Sequence, residues 1–179
     1  DGRRHVLASK ELYDQIMVDT SPPLFSAGAV NLYSVEFLAL VKKRLTRPGI
    51  FALWLPTPCF ESDFGMVARG FTEVFPHTAA WAKPGIPGVL MLGSREPLVS
   101  PPSVVTRRIK ERGVAARWPE MTEALFRSGW VLDDDGMRDF SAPYLAVTDD
   151  RPRTEFPLGR FLAGERLWPV PGFLTNPAP

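Results

Sequence analysis

A carboxylate at the end of a short apolar run is the first feature of this sequence that invites chemistry. Ile16, Met17 and Val18 stop at Asp19, and Thr20-Ser21-Pro22-Pro23 cannot continue a strand. An apolar run this short, bounded by turn signals, reads as a buried parallel strand. Open α/β sheets bind ligands beyond the carboxyl ends of such strands, so Asp19 is the leading candidate for a functional role. The competing reading is an Asp that only hydrogen-bonds a turn. Metal chemistry has little support. Cys59 is the sole cysteine and His5 and His77 the only histidines, so neither a disulfide nor a cysteine-built metal site is expected. Asp133-Asp134-Asp135-Gly136 lacks the alternate spacing and distal Glu of a calcium loop and reads as a turn or helix cap.

The elements around Asp19 follow from pattern. Arg3 to Glu11 reads as a short helix with Val6 and Leu7 inward and Arg3, Arg4, Lys10 and Glu11 wet. Asp1-Gly2 precedes it, with Asp1 placed to cap it. Thr20 to Val30 is a loop of small residues and prolines, the kind that often serves as a lid or binding loop. Ser34 caps a helix running to about Leu45, with Phe37, Leu38, Leu40, Val41 and Leu45 as its apolar stripe and Pro48-Gly49 as its stop. Ile50 to Leu55 is the next central strand, closed by Pro56. Glu61 to Phe75 is a helix. His77 to Ala82 and Gly88 to Leu92 then form a hairpin across a Pro/Gly-rich link. From Glu96 the character changes to a Pro-marked linker and two short helices, Val104 to Arg112 and Pro119 to Ser128. Leu158 to Pro179 is expected to be an irregular tail. The division expected is residues 1–95 as a half-sheet domain and 96–179 as a helical and irregular extension.

Three stretches, Asp1-Gly2-Arg3, Tyr13-Asp-Gln-Ile-Met-Val-Asp19 and Asn31-Leu-Tyr-Ser-Val-Glu-Phe37, resemble the second half of spermidine synthase and related aminopropyltransferases. The likeness is tighter to the spermidine synthase-like domains of bacteria, often fused to membrane segments. With these the chain shares Leu32-Tyr33-Ser34, the Gly49 to Pro56 strand and the late Thr148-Asp149-Asp150-Arg151-Pro152. It covers roughly Asp1 to Phe156. The resemblance implies an α/β, methyltransferase-like Rossmann fold of which this chain carries the C-terminal half of the sheet. The first strands and their Gly-rich turn are missing, since no Gly-x-Gly-x-Gly stretch followed by a helix occurs. It also implies aminopropyl transfer from decarboxylated S-adenosylmethionine, or use of S-adenosylmethionine itself, with no metal. Asp19 would be the proton-accepting Asp, because an ammonium is not nucleophilic until it loses a proton. Asp1 and Gly2 would lie beside the adenine, and Tyr33, Ser21 and Trp54 would line the substrate pocket.

Two positions depart from the family. The second acid of Asp-Ser-Ser/Thr-Asp-Pro is Pro22 here, and a Gln common in the next strand is Trp54. A diamine pocket needs carboxylates, because burying an unpaired ammonium is costly. Putrescine is therefore not the expected acceptor. Three readings stay open: a transferase for another acceptor, a non-catalytic structural or assembly subunit, and a polyamine synthase with a rearranged pocket.

Composition narrows the partners. With 45% hydrophobic and 23% charged residues and a net charge of +1, the chain has no basic field for nucleic acid. No stretch approaches a membrane span. The expected setting is the cytoplasm, at or away from the membrane face, with the opening in mid-motif leaving room for a leader or membrane portion upstream. The expected partners are the upstream half of the domain on the same or a separate chain, a small amine, a membrane-associated protein and a second copy. Tyr13 to Val18 would otherwise be an exposed apolar edge.

Overall fold

The structure, a computed structural model, describes residues 1–20, 28–82, 87–98, 102–111 and 113–168. Helix α1 (Gly2–Ala8) leads into strand β1 (Tyr13–Asp19), and a 3-10 turn at Val30–Leu32 precedes α2 (Val35–Arg44). Strand β2 (Leu45–Pro56) and the two-residue β3 (Cys59–Phe60) are followed by α3 (Glu61–Val74), β4 (His77–Trp81) and β5 (Gly88–Ser94). Short helices α4 (Pro102–Glu111), α5 (Val114–Arg117) and α6 (Glu123–Ser128) come before β6 (Trp130–Leu132), α7 (Asp134–Ser141), α8 (Leu158–Leu162) and β7 (Leu167–Trp168).

Five strands form one sheet in the order β1-β2-β5-β4-β6. Strands β1 and β2 are parallel, as expected from the strand–helix–strand alternation, and β5 inserts antiparallel between β2 and β4. The Pro/Gly-linked pair is thus the antiparallel hairpin that the sequence predicts, with residues 83–86 of its link outside the described residues. Strand β6 adds antiparallel to β4, so residues beyond 95 extend the sheet.

Alternation along the strands sorts the two faces. Phe51, Leu53, Leu55, Val89 and Met91 point to one side and are fully buried under α2, α3 and α7. Phe51 stacks on Phe71 and Phe75 at centroid separations of 5.5 and 6.0 Å. Ser34 caps α2, accepting from the Phe37 amide at 3.3 Å, and Phe37, Leu38 and Val41 bury the stripe read from the sequence. Asp133 caps α7 through the Gly136 amide at 2.9 Å, the cap rather than calcium-loop outcome.

Four expectations need correction. Helix α1 ends at Ala8, not Glu11, and Leu7 is exposed, because seven residues offer one inward position and Val6 takes it. Arg3 is only half exposed, being drawn into contacts with distant residues. Helix α2 stops at Arg44, and Pro48-Gly49 lie inside β2 where its register against β1 shifts. A side chain at Gly49 would sit 2.9 Å from the Tyr13 carbonyl, so the close strand approach there requires glycine. Strand β1 is the edge strand that the sequence predicts for this chain when no further strands cover it; its residues are half-buried or exposed, with Met17 among the exposed. The tail is not wholly irregular, since α8 forms and β7 pairs with β3; residues 169–179 lie outside the described residues.

Candidate active site

Asp19 is the last residue of β1, and its in-register neighbour on β2 is Trp54. The two side chains come from adjacent parallel strands at their carboxyl ends, the place the sequence assigns to a binding site. Asp19 is exposed, and no described residue donates to its carboxylate. Trp54 is half-buried, and its ring lies over Gly88 so closely that any side chain there would collide with it. Gly88 also has φ +148°, so glycine is required twice over. The indole thus leans toward β5, away from β1, and the exposed Asp19 carboxylate is the group at this strand end suited by charge to receive a cation.

Thr20 follows Asp19 and is buried, with its Oγ 2.5 Å from the Tyr33 hydroxyl. Tyr33 is itself fully buried in the main core. Burial pushes its phenol up to about 12, against the pull of the Thr20 hydrogen bond, so it stays neutral. Of its two expected places, pocket wall or packing, the structure puts Tyr33 in the packing. Its hydroxyl fixes the residue next to Asp19. Ser21 falls in the stretch 21–27, outside the described residues.

Asp1 caps α1, accepting from the Arg4 amide at 3.3 Å, and remains exposed. Gly2 has open space where a side chain would be, so the backbone there is free for close approach. No described hydrogen bond joins Asp1 or Gly2 to Asp19.

What does join this end of the molecule is a residue the sequence left in solvent. The Arg3 guanidinium donates to the Asn31 carbonyl at 2.8 Å, to Ser34 Oγ at 3.3 Å, and to both oxygens of Asp149 at 2.8 and 2.5 Å. Asp149 lies in the late Thr148-Asp149-Asp150-Arg151 turn, closed by Arg151 N–H to the Thr148 carbonyl at 3.1 Å. Its own N–H donates to Glu36 at 3.0 Å, and Val35 N–H donates to the Val147 carbonyl at 2.9 Å, docking the turn on the start of α2. The Arg3 hydrogen bonds hold the Asp149 carboxyl below the usual carboxylate range, and Asp149 in turn raises Arg3.

A second arginine pair lies at the start of α3, just past the carboxyl end of β2. Asp63 is fully buried and accepts from Arg160, whose other nitrogen donates to the Thr154 carbonyl at 3.0 Å. The Arg160 guanidinium also lies 4.6 Å from the centre of the Phe60 ring. Asp63 Oδ2, Arg160 Nε and Thr154 Oγ1 are buried without a hydrogen-bond partner among the described residues. On the sheet face opposite the core, which Asp19 and Trp54 share by alternation, a groove of about 530 Å³ runs over Met17, Ile50, Ala52, Leu90, Leu92 and Trp130. Among the described residues no group of three or more His, Cys, Asp or Glu is placed to hold a metal ion. None of their helices is long and apolar enough to cross a membrane.

This sheet, with its inserted antiparallel strand and helices over one face, is that of the methyltransferase-like Rossmann proteins. It aligns with a probable spermidine synthase from Corynebacterium glutamicum at a TM-score of 0.59 and 19% identity, over 83% of this chain and 52% of that one. It aligns with human methyltransferase-like protein 13, solved in complex with SAH, at a TM-score of 0.50 and 24% identity, over 68% and 59%. In sequence the chain is 29% identical over 140 residues to the polyamine aminopropyltransferase of Desulforudis audaxviator, covering 75% of this chain and 50% of that protein. No family model matches the chain. The chain is spermidine synthase-like, and it spans about half the length of that curated relative.

Proposed function

We propose that this chain carries the acceptor-side half of a transferase that moves an aminopropyl group, or another group derived from S-adenosylmethionine, onto an amine other than putrescine. The observation that carries this reading is Asp19, an exposed carboxylate at the carboxyl end of β1 beside Trp54. Support for the nucleotide comes from Asp1 and Gly2, an exposed carboxylate and an unobstructed backbone at one helix start. It comes also from the named ligand of a fold neighbour, SAH, and the names of the relatives.

The nucleotide, when bound, supplies a sulfonium-activated carbon for attack by an amine and departs as a neutral thioether. Asp1 would accept a hydrogen bond from the exocyclic amine of adenine. Asp19 would orient the incoming amine and take the proton that nitrogen loses as its new bond to carbon forms. The pocket position that holds a Gln in the family is Trp54 here, and the family's second acid is replaced by Pro22 in the sequence, so no second carboxylate is supplied for a distal ammonium. That pairing favours a monoamine, or an amine with an apolar tail. The same two departures favour the second reading, an assembly subunit that keeps the fold without the reaction.

The open edge of β1, with the apolar groove beside it, would be completed by further polypeptide equivalent to the unmatched half of the relatives. Titrating the full-length protein with methylthioadenosine, then offering decarboxylated S-adenosylmethionine with a panel of mono- and diamines, tests the whole reading. Nucleotide binding with monoamine turnover supports it. Efficient putrescine turnover overturns the pocket assignment, and absence of nucleotide binding leaves the assembly subunit.

A further inference from the structure

We infer that Arg3 and Asp149 form the positioning pair that sets the nucleotide-facing start of α1; this rests on the nucleotide reading of Asp1 and Gly2 above. Helix α1 has seven residues, too few to hold its shape alone, and Val6 is its one buried side chain. Its far end is tied down by Arg44, whose guanidinium donates to the Val6 and Leu7 carbonyls at 3.2 and 3.4 Å. Its near end, where Asp1 and Gly2 sit, is tied by Arg3.

The geometry requires an arginine. One planar fork engages both oxygens of Asp149 and still reaches the Asn31 carbonyl and Ser34 hydroxyl, whereas a lysine ammonium has no such fork. Asp149 is in turn fixed by the turn around it and by its N–H bond to Glu36. The start of α1 is therefore registered against the start of α2 by residues 146 positions apart. With side chains 24% and 39% exposed, the pair contributes little to global stability, so its effect is on placement.

The test uses the full chain with three variants, Arg3→Lys, Asp149→Asn and the double Arg3→Ala/Asp149→Ala. Amide hydrogen exchange without ligand is expected to speed up in residues 4–8 by about tenfold in each variant, with α3 unchanged, the range open to coupled neighbours. Calorimetric titration with methylthioadenosine is expected to give about tenfold weaker binding in each. The double variant is expected to be no worse than the worse single one, and melting temperatures to stay within about 4 °C of the parent. Unchanged exchange at α1 overturns the inference whatever the nucleotide result. So does parental affinity in the variants, or a loss of affinity that only follows a general drop in melting temperature. Faster α1 exchange in a parent chain that binds no methylthioadenosine instead overturns the nucleotide reading, and the nucleotide-facing role of the pair with it.

Discussion

Asp63 and Asp19 stand at the same end of the sheet and differ in almost every physical respect. Asp63 is wholly enclosed, salt-bridged to an arginine that also lies over Phe60, and has one oxygen without a partner among the described residues. Asp19 is open to solvent, and no described residue engages it. A carboxylate buried with its counter-charge is committed to structure, because removing either partner strands a charge in a poorly solvated site. A carboxylate left open at a strand end holds its capacity in reserve for something that arrives. The contrast separates a residue that holds the fold from one available for chemistry, and it can be broken by substitution.

The largest effect belongs to Asp19. Asp19→Asn keeps the shape but cannot take a proton. In an active transferase it is expected to lower turnover by about 10²–10⁴-fold with unchanged melting temperature and methylthioadenosine affinity. Steady-state kinetics beside a thermal melt would falsify the catalytic assignment by returning parental turnover. Asp63→Ala should behave in the opposite way. It leaves Arg160 half-enclosed and unpaired, at a cost of about 3–5 kcal/mol, seen as a melting temperature lower by roughly 6–20 °C. Replacing both partners by apolar residues, as in Asp63→Leu/Arg160→Met, should recover most of that loss. If the double variant melts as low as the single one, Asp63 is not held by the pair but by packing alone.

The half of this contrast that lies in local pattern was legible in the sequence, and the half that depends on distant partners was not. Asp19 was visible because a run of three apolar residues stops at it, and the helix caps at Ser34 and Asp133 because capping is decided within four residues. The parallel pair and the hairpin followed from alternation and punctuation. Asp63 sits on a helix whose periodicity places it but does not reveal a partner 97 residues away. Arg3 reads in sequence like any wet residue of a short helix, and nothing in its local pattern points to the Thr148 to Pro152 stretch that holds its partner. Strands β6 and β7, of three and two residues, are too short to carry a period.

A smaller effect tests the support beneath Asp19. Tyr33→Phe removes a buried hydroxyl and leaves Thr20 Oγ enclosed without its partner, expected to cost about 1–3 kcal/mol in chemical denaturation. Adding Thr20→Val removes the orphaned group, so the double variant should recover much of the loss while leaving Asp19 less firmly placed. Stability and turnover should therefore part company in the double variant. If Tyr33→Phe is neutral, the hydroxyl pair does not anchor the end of β1.

The smallest effect is set by pH and concerns the third aspartate, Asp149, intermediate between the other two in exposure. Its carboxyl is held below the ordinary range chiefly by the hydrogen bonds from Arg3. A carboxylate whose folded pKa is depressed contributes stability that is present above its unfolded pKa of about 3.9 and is lost as pH falls through the folded value. Above pH ~5 the contribution should be complete and flat; below about pH 4 it should fade. Because the pair is partly exposed, its size is at most about 1 kcal/mol at low salt, and smaller near 0.5 M salt where screening shortens. Comparing parent and Asp149→Asn by urea denaturation at pH 7 and at pH 3 reads this directly. The gap between the two proteins should close at pH 3. A gap that persists there would mean that Asp149 acts through its shape and its N–H bond to Glu36 rather than through its charge, and Arg3 would then be held mainly by Asn31 and Ser34.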